Sequence, residues 1–399
     1  MKMSLRGSLS VAIATAGLAA SLIVPASASA AIGSGAKGDL SLVTPAGATV
    51  HFGGSSFSKP FVDFLTTGKN VGSYVALNKT ATFGTDSGAG SGDGRTGVSA
   101  GTYDIGFSDQ PMNVLAGTAP TGYTSQTVIN NTFTQVPLAL GGAVVAYNLA
   151  GITGLKLSAN IIGSIYNGKI TTWDDDAILA LNPVQKNALK ALNNKTITVL
   201  YRNSSSGTTF AFTQYLNQAT HGLTPGASGS VMEGTGNAWK ATTVSAVAGN
   251  SGMASTLNST AGAIGYVEYS YLLVPGNKLI TASLQDANGE WLQPSLTNIA
   301  AAATAAAKTI SVENFSINFE PGKGVWPLAT YSWAIVKKAQ TNAANGELAV
   351  KFLAYAIVGG QLKASANGYV PLSATVQKSA IASLMLVKSG ASVLLTAKK

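Results

Sequence analysis

Apolar residues recur along the chain at two spacings that alternate with one another. In SFSKPFVDFLTTG, residues Phe57, Phe61, Phe64 and Leu65 share one helical face, and Pro60 falls in the first turn, where its missing N–H costs little. TTFAFTQYLNQ repeats that spacing with Phe210, Thr213 and Leu216. LSANIIGSIYNGKITTWDDDAILALNP predicts a helix, a turn at Asn167-Gly168 and a second helix, with Thr172 as N-cap and Asp174 to Asp176 near the positive end of the helix dipole. Between such segments lie β-branched and aromatic runs: AVVAYNL (143–149), TITVLYR (196–202), AIGYVEY (263–269) and SWAIV (332–336). Strands alternating with helices predict α/β units with open, mostly parallel sheets. IAAAATAAAK (299–308) predicts a surface helix, and GLTPGASGSVMEGTGN (222–237) an exposed loop.

Three glycine-dense turns punctuate this pattern: Gly53 to Ser56, Ser87 to Gly97, and Asn203 to Gly207, each running into a helical segment. The first N–H groups of a helix lack intrahelical partners and carry the positive end of its dipole. A glycine-rich turn lets those amides close around an oxyanion without Cβ atoms in the way, and serine and threonine hydroxyls add further donors. In ITVLYRNSSSGTTFAFTQYL, Ser206, Gly207 and Thr208 supply such a helix start, and Arg202 at the strand's carboxyl end offers a planar fork suited to phosphate. One such turn alone is better read as Ser204 to Ser206 capping a helix while Arg202 pairs with a surface carboxylate; the recurrence of three such turns favours the anion.

Asp109 follows the apolar run IGF and precedes Pro111, which puts it at a strand end. Phosphate near neutral pH keeps at least one P–OH that a carboxylate can accept, whereas sulfate has no proton to offer and would meet the carboxylate as an unpaired like charge. An Asp among anion-binding amides therefore selects phosphate over sulfate. The alternative is an Asp that pairs with Arg202 or caps the next helix.

Composition narrows the chemistry further. The chain has no cysteine, which excludes disulfides, thiolate metal sites and a cysteine nucleophile. Only 10% of residues are charged, against about 25% in an average domain. The net charge is +9, but the basic residues are scattered singly and no nucleic-acid motif is present, so nucleic acid is not the expected partner and the charge reads as a weak attractor of anions or as adaptation to an acidic exterior. Lys2 and Arg6, the apolar stretch after them and Ala28-Ser29-Ala30 predict a secretory leader at residues 1–30, cleaved near Ala30. With no cysteine for lipid attachment, the expected location is the periplasm.

Several ordered blocks give the chain a specific resemblance. GSSFSKP (54–60), SGDG (91–94) with TYDIGFSDQP (102–111), VPLALGGAVVAYNLAG (136–151), IYNGKITTWDD (165–175), YRNSSSGTTFAFTQYL (201–216), GAIGYVEYSY (262–271) and WPLATYSWAI (326–335) resemble the phosphate-binding proteins of bacterial phosphate ABC transporters, a type II periplasmic binding protein family. The resemblance implies two lobes joined by two hinge crossovers, near 135–142 and 325–331, each lobe a mostly parallel sheet flanked by helices. Lobe I would comprise residues 31–138 and 329–399, and lobe II residues 139–328. It also implies a phosphate site made of Ser56, Phe57 through its backbone N–H, Ser91, Asp109, Arg202, Ser206, Gly207 and Thr208. Ser87, in the similar SGAG, competes with Ser91 for its role. Many family members carry an acidic residue two places after the arginine, where this chain has Ser204.

What the resemblance implies for function is a monomer that binds inorganic phosphate outside the cytoplasmic membrane and passes it to the permease of a phosphate ABC transporter, without a cofactor or metal. Two alternatives stand beside it. One is a scavenger or sensor of phosphate or arsenate. The other is a phosphatase on the same fold, which His51 and His221, the two histidines, support poorly because 170 positions separate them.

Overall fold

The computed structural model describes residues 45–395 apart from Ala46, Lys69, Ser87, residues 221–240 and Thr242. The predicted leader, Ser87, His221 and the predicted loop at 222–237 lie outside the described residues.

Eight strands form the central sheet: β1 (Phe52–Gly54), β2 (Ile105–Ser108), β3 (Phe133–Tyr147), β4 (Thr198–Arg202), β5 (Val244–Val247), β6 (Ala263–Glu268), β7 (Ile280–Thr281) and β8 (Ala329–Lys337). Their spatial order is β1-β2-β8-β3-β6-β4-β5, with β7 also paired to β3, at Ala146 and Tyr147. The α/β reading holds, with one refinement. Parallel pairing is confined to the two ends, β1 with β2 and β6-β4-β5. The middle is antiparallel, because β8 runs against both β2 and β3, and β3 against β6.

Strand β3 ties the two ends together. Residues Phe133 to Gly142 pair with β8, and Ala143 to Tyr147 pair with β6. The sequence predicted a strand only from residue 143. The earlier half lacks polar alternation because nearly all of it is buried, and such runs carry no period-2 signal. Pro137 cannot donate to the ladder, and the pairing shifts register opposite it, between Ser332 and Trp333.

Seven helices matter for the site and the core: α1 (Lys59–Thr66), α2 (Ser91–Ala100), α3 (Ala159–Tyr166), α4 (Gly207–Thr220), α5 (Gly249–Ser259), α6 (Leu296–Ala305) and α7 (Ala343–Ile357). Helix α1 begins as predicted, with Pro60 in its first turn and Phe61, Val62 and Leu65 buried. Helix α2 is poor in intrinsic propensity and rich in glycine for a packing reason: a Cβ on Gly94 would stand 2.1 Å from the Phe107 carbonyl oxygen of β2. The helix thus lies directly on the strand that ends in Asp109. Helix α6 buries Ile299 and Ala302 and leaves Ala300, Ala301 and Ala303 half-buried against the core, with Ala305 exposed.

One expectation fails. Thr172 does not cap the helix after Asn167-Gly168; that helix spans Asp176–Leu181 and is capped by Asp175, which accepts the Ala177 N–H at 2.9 Å. Thr172 bridges Thr196 in extended conformation, and the neighbouring Trp173 N–H donates to the Lys195 carbonyl at 2.8 Å. The fully buried Trp173 indole, donating to the Gly262 carbonyl at 3.0 Å, holds this stretch out of the helix.

One contiguous hydrophobic core runs from Phe52, Phe61 and Phe107 through Leu140 and Val144 to Trp173, Leu200 and Tyr266. No helix among the described residues is long and apolar enough to cross a membrane.

Candidate functional site

Four helix N-termini converge beside the carboxyl ends of the parallel strands. Strand β1 leads through Ser55 to Ser58 into α1, β4 through Asn203 to Ser206 into α4, and β5 through Ala248 into α5. Helix α2 starts at Ser91, and β2 ends beside it and releases Asp109.

Asp109 is buried at the centre of this convergence. Its Oδ1 accepts the hydroxyls of Ser55 and, at 3.2 Å, Ser332. Its Oδ2 accepts the Ser91 hydroxyl at 3.3 Å. Ser91 Oγ in turn accepts the N–H groups of Asp109 at 3.0 Å and Gly207 at 3.2 Å. Burial pushes the Asp109 carboxyl up to about 6, opposed by the hydrogen bonds from Ser55 and Ser332, by the Arg202 charge and by Ser91. The carboxylate is therefore ionised at neutral pH yet close enough to its titration to exchange a proton. Asp109 does not cap a helix, which sets aside that alternative.

Arg202 is 1% exposed, so it is not the surface ion-pair partner that the capping alternative required. Its Nη2 donates to Ser204 Oγ at 3.4 Å, and among the described residues its Nε has no hydrogen-bond partner. Burial pulls the guanidinium down from the usual arginine range, while Tyr266, Asp109 and Tyr271 pull the other way. Ser204 thus supplies a neutral acceptor.

The remaining predicted residues gather around the same centre. Ser206 caps α4 by accepting the Thr209 N–H at 3.2 Å, so the capping role is real and coexists with the cluster. Gly207 packs against Asp109 and Ser91. Thr208 Oγ1 accepts from Asn250 Nδ2 at 3.1 Å. Ser56 Oγ accepts from both the backbone N–H and the side-chain Nδ2 of Asn250, at 3.0 and 3.1 Å. The Phe57 N–H donates to Ser55 Oγ at 3.0 Å, and the Phe57 ring is buried. All eight predicted residues are thus buried in one region, with six of them hydrogen-bonded through Ser55, Ser91, Asp109 or Asn250 and Arg202 coupled to Asp109 by charge.

Sequence reasoning missed several participants. Ser55 was hidden beside Ser56 in the first turn, although Gly53-Gly54-Ser55-Ser56 had marked the place. Asn250 sits in VAGNSGM, a fourth strand–turn–helix unit whose sparse glycines gave a weaker signal than the other three. Ser332 arrives from 223 positions away. Tyr266 OH accepts the Arg202 N–H at 3.3 Å and shares a 2.7 Å hydrogen bond with Thr209 Oγ1. Glu268 is fully buried and accepts from the N–H and hydroxyl of Ser270, and burial holds its carboxyl well above the usual range.

Chemically, the arrangement offers one buried cation, an ionisable carboxylate, several hydroxyls and the amides of helix starts. Such a set suits a tetrahedral, partly protonated oxyanion.

Comparison with known proteins points the same way. A family profile described as a PBP superfamily domain matches residues 41–358. The chain is 31% identical over 328 residues to the phosphate-binding protein PstS of Xylella fastidiosa, covering 82% of each chain. It is 33% identical over 290 residues to the phosphate-binding protein PstS of Haemophilus influenzae, covering 72% of this chain and 80% of that one. Among solved structures, it shares its fold with a high affinity periplasmic phosphate-binding protein bound with phosphate. The TM-score there is 0.60 at 18% identity, over 86% of this chain and 96% of that one.

Proposed function

The chain belongs to the PBP superfamily, within its phosphate-binding proteins, and on that premise we propose that it binds inorganic phosphate between two lobes and delivers it to the permease of a phosphate ABC transporter. Lobe I would hold residues 31–138 and 329–399 and lobe II residues 139–328. The exchange of β3's partner from β8 to β6 after Gly142 supports a hinge there.

The observation that carries the reading is the burial of Arg202 and Asp109 in one network of hydroxyls and helix-start amides. Ser91 and Gly207, 116 positions apart, hydrogen-bond each other in that network. In this reading Ser56, Ser206 and Thr208 donate hydroxyl protons to phosphate oxygens, and Ser91 turns its proton from Asp109 Oδ2 to the anion. The Phe57 and Gly207 N–H groups exchange Ser55 Oγ and Ser91 Oγ for phosphate oxygens, and Arg202 supplies the charge. Asp109 accepts the P–OH proton and rejects sulfate.

Binding without turnover fits the surroundings of the candidate nucleophile and base. Ser206 Oγ is engaged as a helix cap, and His51 is exposed, 3.6 Å from Asp104. A periplasmic, monomeric form is part of the same proposal.

The test is calorimetric titration of phosphate and sulfate into protein unfolded and refolded to strip carried-over anion, in the wild type and an Asp109→Asn variant. The reading expects tight phosphate binding with no sulfate heat in the wild type, and relaxed discrimination in the variant. No phosphate heat from well-folded wild type would overturn it. A concurrent assay for phosphate release from phosphomonoesters, with and without divalent metal, is expected to stay at background.

A further inference from the structure

Asn250 is the second residue of α5 and is completely buried. Its Oδ1 accepts the Glu268 N–H at 3.1 Å. That bond settles which end of the amide faces which way, so Nδ2 points at the hydroxyls. Nδ2 donates to Ser56 Oγ at 3.1 Å and to Thr208 Oγ1 at 3.1 Å, and the Asn250 backbone N–H adds a third donation, to Ser56 Oγ at 3.0 Å.

A hydroxyl has one proton and two acceptor sites. Ser56 Oγ receives two N–H groups, so both its acceptor sites are filled and its remaining function is to donate. Thr208 Oγ1 receives one N–H on one side. Both protons of Nδ2 are used on these two hydroxyls, so Asn250 does not itself reach a ligand. Ser56 precedes α1 and Thr208 lies in the first turn of α4, so one amide governs two helix starts that are 152 positions apart in the sequence.

We infer that Asn250 is a positioning residue that turns the Ser56 and Thr208 hydroxyls into dedicated proton donors toward the bound anion. The inference rests on the phosphate reading above. Without the side-chain amide Ser56 Oγ keeps only the Asn250 backbone N–H and Thr208 Oγ1 loses the Asn250 donor, so each hydroxyl can turn a lone pair to the anion, which repels it; with it, their donor orientation is set before the anion arrives.

The test uses refolded wild type, Asn250→Ala and Asn250→Asp, each titrated with inorganic phosphate from pH 5 to 8.5, with thermal unfolding of the same samples. Asn250→Ala is expected to weaken phosphate binding by the order of 10- to 100-fold, the loss of two oriented charge-assisted hydrogen bonds. Asn250→Asp keeps the Oδ1 acceptor for Glu268 and so keeps the fold. Its ionised carboxylate takes the hydroxyl protons for itself and adds like charge, so its loss at pH 8 exceeds that of Asn250→Ala. As pH falls the carboxyl gains a proton, donates again and recovers affinity relative to wild type. Asp109, Arg202, Glu268 and Tyr271 surround all three proteins and cancel to first order in that ratio. A merely structural role would lower the unfolding temperature without this recovery. Wild type that binds phosphate while both variants bind within about threefold of it, or an Asn250→Asp loss that does not change with pH, overturns the inference. Folded wild type that gives no phosphate heat overturns the underlying reading instead.

Discussion

Gly207 lies so close to Asp109 that a Cβ built on it would stand 2.5 Å from the Asp109 Cβ and 2.6 Å from its Oδ2, with Ser91 Oγ also at 2.5 Å. The first residue of α4 and the carboxylate at the end of β2 therefore meet through backbone and side chain with nothing between them. Asp109 has no freedom to retreat, because Ser55 and Ser332 hold Oδ1 and Ser91 reaches Oδ2.

Gly207→Ala is accordingly expected to prise α4 from β2. Overpacking in a buried site costs about 1–3 kcal/mol, and the displaced helix start carries the Gly207 N–H away from Ser91. Calorimetry should show phosphate affinity reduced by the order of 100-fold, alongside a modest fall in unfolding temperature. Wild-type affinity in this variant would mean the contact does not form in the binding-competent protein.

The proton inventory at Asp109 makes sulfate rejection depend on pH. Above about 6 the carboxylate is ionised and repels sulfate. Below it, the protonated carboxyl can donate a hydrogen bond to a sulfate oxygen. Wild type should therefore begin to bind sulfate as pH falls through about 6, with uptake of a proton measurable by calorimetry in buffers of different ionisation enthalpy. Asp109→Asn should bind sulfate without that pH step. Sulfate rejection unchanged down to pH 5 would count against Asp109 as the selector.

The same group makes a prediction about stability, with a sign opposite to the ordinary salt-bridged aspartate. Asp109 titrates near 6 when folded and near 4 when unfolded, so between those values the folded protein holds more protons. Its contribution to stability is greatest below about 4, declines as pH rises and is fully lost above about 6. Glu268 acts in the same direction, because burial raises it too. Asp109→Asn removes one of these penalties. In anion-free melts its unfolding temperature should exceed that of wild type at pH 8 and approach it near pH 4, the difference amounting to at most about 3 kcal/mol. A gap between the two proteins that does not vary with pH would refute the assignment.

Much of the site could be read locally, and the unread part is the part made by distant chain segments. The turn before α4 announced Arg202, Ser206, Gly207 and Thr208 because donors, glycine and helix start are adjacent in sequence. Asp109 was legible from IGF and Pro111 on either side of it. Ser332 and Asn250 were not, since neither carries a local sign of the partner it meets, 223 and 194 positions away respectively. The fold followed the same division. Helices with an exposed face, such as α1, revealed themselves by period. The first half of β3, buried on both sides, had no alternation to show, and Thr172 was drawn out of its expected cap by the burial of Trp173 next to it.

Arg202 offers a last and sharper test, since its value in the proposed site is shape as much as charge. Its Nη2 rests on Ser204 Oγ at 3.4 Å, and Nε lacks a partner among the described residues. A planar fork with an unpaired N–H can give an anion two parallel bonds. Lysine keeps the charge but delivers it from one point on a flexible stem. Arg202→Lys should therefore bind phosphate with affinity lower by the order of 100-fold, yet with the salt dependence of wild type, because the net charge is unchanged. Arg202→Met should lose both affinity and salt dependence. Should the lysine variant match wild type, the site would be using Arg202 as a simple charge, and its geometric role would have to be abandoned.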